Sequence, residues 1–233
     1  MKKGKLIVID GIDGSGKATQ TKLLAQHLSE AGLKVKTIDF PRYVDNFFGK
    51  LIGEYLSGIY GDFIQTDPRV ASVLYAADRF ESKEKIEKWL NQGYIVLCDR
   101  YVTANQIHQG GKIRSLKKRQ EFLAWLEKME FGVFKIPKPD LVVYLDVPFE
   151  VSQYWLKQKV ALRKKTSYLK SGRRDVAEDN LMHLKDSRNS ALWLTKNNKN
   201  WSKIECCRGM YCLLPEQIHQ QVWDLITSHL KLK

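Results

Sequence analysis

Gly11-Ile12-Asp13-Gly14-Ser15-Gly16-Lys17 follows the apolar run Ile7-Val8-Ile9 and opens a helical pattern. The spacing is G-x-x-x-x-G-K between a strand and a helix, which suits phosphate. Glycines let the backbone fold back so that several N–H groups converge on one anion. The helix behind adds its positive N-terminal end, and Lys17 adds a mobile charge for the outer phosphates. Three further groups could do chemistry beside it. Asp99-Arg100 closes an apolar run at Tyr94–Cys98. That aspartate can hold Mg²⁺ through water, and the arginine can grip a second phosphate with its fork of donors. Tyr75 and Arg79 stand four apart and share one helix face. Such a pair suits a nucleobase, with the ring stacking and the guanidinium donating to a carbonyl. The same spacing fits a core tyrosine beside a surface arginine equally well. Val160–Arg174 carries Arg163, Lys164, Lys165, Lys170, Arg173 and Arg174 around Gly172. It reads either as a solvated loop or as a lid closing over a transferring phosphoryl.

One position departs from the usual phosphate loop. The residue after the lysine is normally Ser or Thr, whose hydroxyl meets Mg²⁺; here it is Ala18. Thr19 lies about 100° further round the helix and cannot simply replace it. The metal then depends on phosphate oxygens, water and a carboxylate from elsewhere, with Asp99 as the candidate.

The elements that must position these residues alternate along the chain. Strands are expected at Lys5–Asp10, Lys34–Phe40, Tyr94–Cys98, Leu141–Asp146 and Trp201–Cys206. Helices are expected at Lys17–Glu30, Phe47–Leu56 capped by Asp45, Arg69–Ser82 behind Asp67-Pro68, Lys83–Leu90 and Leu116–Lys128. Three more run from Pro148 to about Lys159, from Val176 to Lys196, and over Pro215–Leu230. Continuous apolar strands alternating with helices make an α/β fold, with a parallel sheet covered on both faces. Ligands bind such sheets at the C-terminal strand ends. Gly11–Lys17, Phe40–Arg42, Asp99-Arg100 and Asp146 all fall there.

Composition narrows the class. The 233 residues suit a single domain with a small lid, and no run of about 18 apolar residues suggests a membrane span. Met-Lys-Lys-Gly leads directly into the first strand, so no signal peptide is expected. Cys98, Cys206, Cys207 and Cys212 form no C-x-x-C pair. A reduced, cytoplasmic protein is the simplest account. The formal charge is +13, but the basic residues are scattered over Lys83–Lys88, Lys112–Arg119 and Lys157–Lys170. A solvated surface plus several phosphate sites accounts for them without a specific nucleic-acid partner.

The chain resembles the thymidylate kinases, P-loop enzymes that phosphorylate dTMP with ATP. The resemblance rests on Gly11–Lys17, Phe40-Pro41-Arg42, Tyr75-Ala76-Ala77-Asp78-Arg79-Phe80-Glu81, Asp99-Arg100-Tyr101, Gln109-Gly110-Gly111 and Asp146-Val147-Pro148. It implies a P-loop kinase fold, a five-stranded parallel sheet of order 2-3-1-4-5 flanked by helices, with a small lid at about residues 160–175. It implies ATP and Mg²⁺ as cofactors, ATP being held by Gly11, Ile12, Asp13, Gly14, Ser15, Gly16, Lys17, Ala18 and Thr19. On the acceptor side, Asp13 would meet the sugar 3′-hydroxyl, and Arg42 and Arg100 the dTMP phosphate. Phe40 and Tyr75 would pack on thymine, Arg79 would donate to its 4-carbonyl, and Asn105 would face N3. His108 and Gln109 would complete the wall near the sugar, His108 standing where the family often has Tyr or Phe. With Gly14 in the loop, the catalytic arginines would come from the lid, Arg163, Arg173 and Arg174, beside Lys17, Asp13 and Arg100. The family is commonly homodimeric.

Other readings differ in testable ways. A deoxynucleoside kinase needs a base for a neutral 5′-hydroxyl, often a carboxylate just after the second strand. Phe40-Pro41-Arg42 puts an arginine there, which suits an already phosphorylated acceptor. A nucleotide-gated nucleic-acid-binding homologue would show salt-sensitive DNA binding instead of turnover.

Overall fold

The computed structural model describes residues 3–162, 181–209 and 211–231. Arg163, Arg173 and Arg174, and all but the first residues of the expected lid, lie outside them.

Five parallel strands form the centre: β1 (Lys5–Asp10), β2 (Val35–Asp39), β3 (Ile95–Asp99), β4 (Leu141–Asp146) and β5 (Trp201–Glu205). Their order is β2-β3-β1-β4-β5, as the resemblance implies. Residues of β1, β3 and β4 are almost all buried, whereas the edge strands β2 and β5 alternate with exposed positions. Successive side chains therefore feed two cores. Leu6, Val8, Val96, Cys98, Val142 and Tyr144 face one way, and Ile7, Ile9, Leu97, Val143 and Leu145 the other.

The second face is covered by α1 (Lys17–Glu30) through Leu24 and Leu28, by α7 (Phe149–Leu162) through Val151, and by α9 (Pro215–Leu230) through Ile218, Val222 and Ile226. The first face is covered by α3 (Pro68–Glu81), α4 (Lys83–Asn91), α6 (Leu116–Glu127) and α8 (Leu181–Asn197). Asp67 caps α3 as expected, accepting from Arg69 N at 2.8 Å ahead of Pro68. The cap of α2 (Phe47–Leu56) is a correction: Asn46, not Asp45, stands at its start, without a side-chain capping bond. Asp45 is drawn away by the Arg42 guanidinium.

Two features had no sequence expectation. The helix after β3 starts as α5 (Val102–Ala104) and widens into a π-helical turn over Asn105–Gln109. A second π-helical turn, Lys128–Val133, extends α6. Such turns recur at functional sites, because the extra residue re-aims side chains. The cysteines also differ from the all-reduced expectation. After β5 the chain makes a two-stranded antiparallel hairpin, β6 (Cys207–Arg208) with β7 (Tyr211–Cys212). It sets Cys207 opposite Cys212, and they form a disulfide; Cys98 and Cys206 are buried free thiols. Residues five apart in sequence become cross-strand neighbours only once the hairpin exists, so their spacing alone did not reveal them.

Candidate active site

Strand β1 delivers the chain to the phosphate loop. Gly14 and Gly16 take φ of 81° and 90°, the left-handed region that side chains disfavour, and so turn the loop back over the start of α1. The first turn of α1 holds no acidic residue and has no side-chain cap. Its leading amides and the positive helix end are left to an anion. Lys17 is buried, with Nζ on the carbonyls of Gly11 and Ile12 at 3.0 Å each. Burial, then the Arg100 charge, lowers its affinity for a proton. Ser15 is buried with no partner for its Oγ. A phosphate oxygen at the loop would satisfy it, so these residues fit a nucleotide polyphosphate. Ala18 and Thr19 are both exposed at the start of α1.

Asp99 and Arg100 arrive on β3, which neighbours β1 in the sheet. Arg100 has φ 66°, a left-handed backbone that costs a non-glycine residue on the order of 1–3 kcal/mol. Its amide is held by Ile9 O at 3.0 Å, and its guanidinium bonds Asp13. Burial pushes the Asp13 carboxyl up, but Arg100 and then Lys17 outweigh it and hold the group ionised, well below the usual carboxylate range. Asp99 borders the cleft, and burial raises its affinity for a proton against the pull of Lys17. A cation would reverse that, so this carboxylate fits a hard divalent ion. Asp10, at the end of β1, is also fully buried, but Thr103 Oγ1 and Gly11 N already occupy its oxygens. No group of three or more potential metal-ligating side chains occurs among the described residues, so most ligands would come from phosphate and water.

The cleft is lined by Asp13, Lys17 and Arg100 together with His108, His183, Phe40, Tyr75, Arg79 and Asn105. Gln109 borders it too. Arg79 comes from α3 and is 2% exposed. Its Nε donates to Glu130 Oε2 at 3.1 Å, Nη2 bonds the other carboxylate oxygen, and Nη1 reaches Tyr101 O at 3.3 Å. Glu130 is wholly buried. Sequence reasoning missed it, because Glu127, Lys128 and Glu130 stand close together there and nothing local tells the buried carboxylate from the exposed one. The π-helical turn at Lys128–Val133 is the segment that carries it to Arg79.

Arg42 departs from expectation. It is not among the cleft-lining residues. Its guanidinium bonds Asp45 and lies 3.8 Å from Asp39. Asp78, adjacent to Arg79, holds the Arg42 amide at 3.1 Å and Asn46 Nδ2 at 2.8 Å. Two acidic neighbours within three residues of Arg42 explain its position. Asp146 is likewise engaged: Arg188 of α8 donates to it from Nε at 2.8 Å and from Nη2 at 3.2 Å. His183, Ser187 and Arg188 all lie on α8, where no local motif marked them.

The fold and this cleft can be set against known proteins. A family model described as thymidylate kinase matches residues 9–205. The chain belongs to the thymidylate kinase family. A probable thymidylate kinase of Pyrococcus abyssi is 38% identical over 152 residues, covering 64% of this chain and 68% of that one. The thymidylate kinase of Thermosipho africanus is 28% identical over 227 residues, covering 97% and 98%. A solved structure of the Candida albicans thymidylate kinase superposes with a TM-score of 0.70 at 25% identity, covering 97% of this chain and 92% of that one. Membership accounts for the strand order 2-3-1-4-5 and makes the chain a P-loop nucleoside monophosphate kinase.

Proposed function

We propose that this chain transfers the γ-phosphoryl of ATP to dTMP, giving dTDP and ADP. One observation supports the reading: Lys17, Asp13, Arg100, Tyr75, Arg79 and Asn105 border a single cleft, drawn from the phosphate loop, the start of α1, the residue after β3, α3 and the π-helical turn. The phosphate loop and Lys17 take the donor phosphates. Arg100 takes the acceptor phosphate, and Asp13, which keeps the Arg100 guanidinium in place, takes a sugar hydroxyl. Phe40 and Tyr75 flank the base, while Arg79 and Asn105 donate to its edge. An acceptor phosphate is already anionic at neutral pH, so no general base is needed. Catalysis then rests on alignment and on positive charge at the phosphoryl oxygens. Mg²⁺, where bound, would neutralise charge on the donor phosphates, with Asp99 as its protein-side carboxylate. Arg163, Arg173 and Arg174 are assigned to the lid in this reading, and Arg42 would reach the acceptor phosphate only after releasing Asp45.

Acceptor profiling with ATP and Mg²⁺ across the nucleoside monophosphates tests the assignment. ADP release should be stimulated by dTMP well above CMP, UMP or GMP. Equal stimulation by all of them removes the thymidylate reading. A homodimer belongs to the same proposal, supported by exposed Phe47 on α2 and exposed Val70 and Val73 on α3. Light scattering at micromolar concentration should give about twice the 27.0 kDa chain mass; a monomer mass at that concentration rejects it.

A further inference from the structure

The hairpin β6–β7 carries chemistry that phosphoryl transfer does not use. Cys207 and Cys212 face each other across its two strands and are joined as a disulfide. Both are half-buried, and their neighbours Arg208 and Tyr211 are exposed, so an external thiol can reach the bond. Cys98 and Cys206 are buried free thiols. Burial, and then the Asp146 charge, pushes the Cys206 thiol up to about 12, so it offers no thiolate to attack its neighbour. The bond is open to exchange from outside and not from within. In a reducing compartment, exposed disulfides of this kind serve as redox-responsive pairs and not as permanent staples.

Two routes tie the hairpin to the phosphate loop. Its base is the rung next to the disulfide, where Leu213 N donates to Cys206 O at 2.9 Å. From that rung Cys206 N donates to Asp146 O at 3.0 Å, at the end of β4. The preceding carbonyl, Leu145 O, packs on the loop itself: a Cβ at Gly11 would stand 2.9 Å from it. The second route leaves through Pro215, whose carbonyl accepts from Gln20 Nε2 at 2.9 Å. Gln20 is buried on α1, one turn beyond Lys17. Cys206, Cys207, Cys212 and Leu213 pack in the second core, together with Leu24 and Leu28 of α1. Tyr75 and Asn105 stand on elements that pack in the first core, through Ala76 and Ile107. A change at the hairpin therefore reaches the phosphate loop before it reaches the base-binding residues.

We propose that Cys207 and Cys212 form a thiol–disulfide exchange site whose state sets the affinity of the phosphate loop for its nucleotide. An external thiolate attacks one sulfur, the Cys207–Cys212 bond breaks, and a mixed disulfide forms. A second external thiol resolves it. The two external thiols end as one disulfide, and their protons end on Cys207 and Cys212. An external disulfide reverses the exchange. Closed, the cross-link holds the rung beneath it and both routes to the loop. Open, the nucleotide must order the hairpin itself, which weakens binding.

The inference rests on the reading of the phosphate loop as the ATP site and adds a control on it. Its test equilibrates the full chain with oxidised or with reduced glutathione. Unfolded in a thiol reagent, the oxidised chain should show two free thiols of its four, with no glutathione mass added, and the reduced chain four. Equilibrium dialysis should give a Kd for ATP at least about threefold higher in the reduced state, while KM for dTMP changes by less than about twofold. Cys207→Ser/Cys212→Ser should match the reduced chain in both buffers. Four thiols after oxidation overturn the inference, as do an ATP affinity indifferent to redox state and a dTMP KM that moves as far as the ATP Kd. Should the double variant fail to fold, the wild-type chain in the two buffers decides. Equal ATP binding in both states removes this inference alone; no ATP binding in either removes the donor reading with it.

Discussion

Lys17→Met is expected to lower kcat by about 10³-fold or more while the fold survives. The methionine keeps the length and apolar stem of a side chain that is 8% exposed, and loses only the charge. In the structure that ammonium rests on two carbonyls of its own loop, Gly11 and Ile12, at 3.0 Å. Two neutral carbonyls, with the Asp13 carboxylate 3.9 Å away and itself bonded to Arg100, are weak partners for an ammonium, and burial already depresses its proton affinity. Polyphosphate is a much better partner, and the charge matters most where the transferring group spreads its own. Single-turnover kinetics with ATP and dTMP, beside a thermal melt, measures both parts. Activity within tenfold of the wild type would mean that Lys17 is not at the reacting phosphates. A wild-type chain without turnover would point to a non-catalytic homologue.

Glu130→Ala is expected to cost about 3–5 kcal/mol of stability, because it strands a buried guanidinium. Arg79 is 2% exposed and Glu130 0%, and the two bonds between them use both carboxylate oxygens. Coulomb attraction offsets the desolvation of the two charges only while both are present. Removing one leaves the full penalty of the other. The same change should raise KM for dTMP, since Arg79 lines the cleft, is proposed to meet the base, and is held by Glu130. Urea unfolding gives the first quantity and steady-state kinetics the second. The variant pair Arg79→Met/Glu130→Leu separates them: stability should largely return, because no charge is stranded, while the KM defect stays. If Glu130→Ala unfolds with wild-type stability, the ion pair is not formed in solution.

Much of the molecule was legible in the residue order, for a local reason. The phosphate loop is contiguous, so its glycines, its lysine and the strand and helix around it all lie in the one stretch Lys5–Glu30. The five strands were readable because central parallel strands are apolar on both faces and alternate with helical periods. Boundaries shifted by a residue or so: the strand expected at Lys34–Phe40 is Val35–Asp39, and that at Tyr94–Cys98 is Ile95–Asp99.

What the residue order alone determined is the α/β frame and the contiguous anion site, because both arise from interactions between near neighbours. What only the tertiary structure decided is every pairing across helices. Arg79 meets Glu130 across 51 residues, His108 meets Ser187 across 79, and Arg188 meets Asp146 across 42. Arg42, expected at the acceptor phosphate from its motif, bonds Asp45 in the structure. Each of these depends on which helix faces which strand end, and on whether a buried charge finds a partner or an orphan atom is left for a ligand. Burial sets that energy, and burial exists only once the layers have packed.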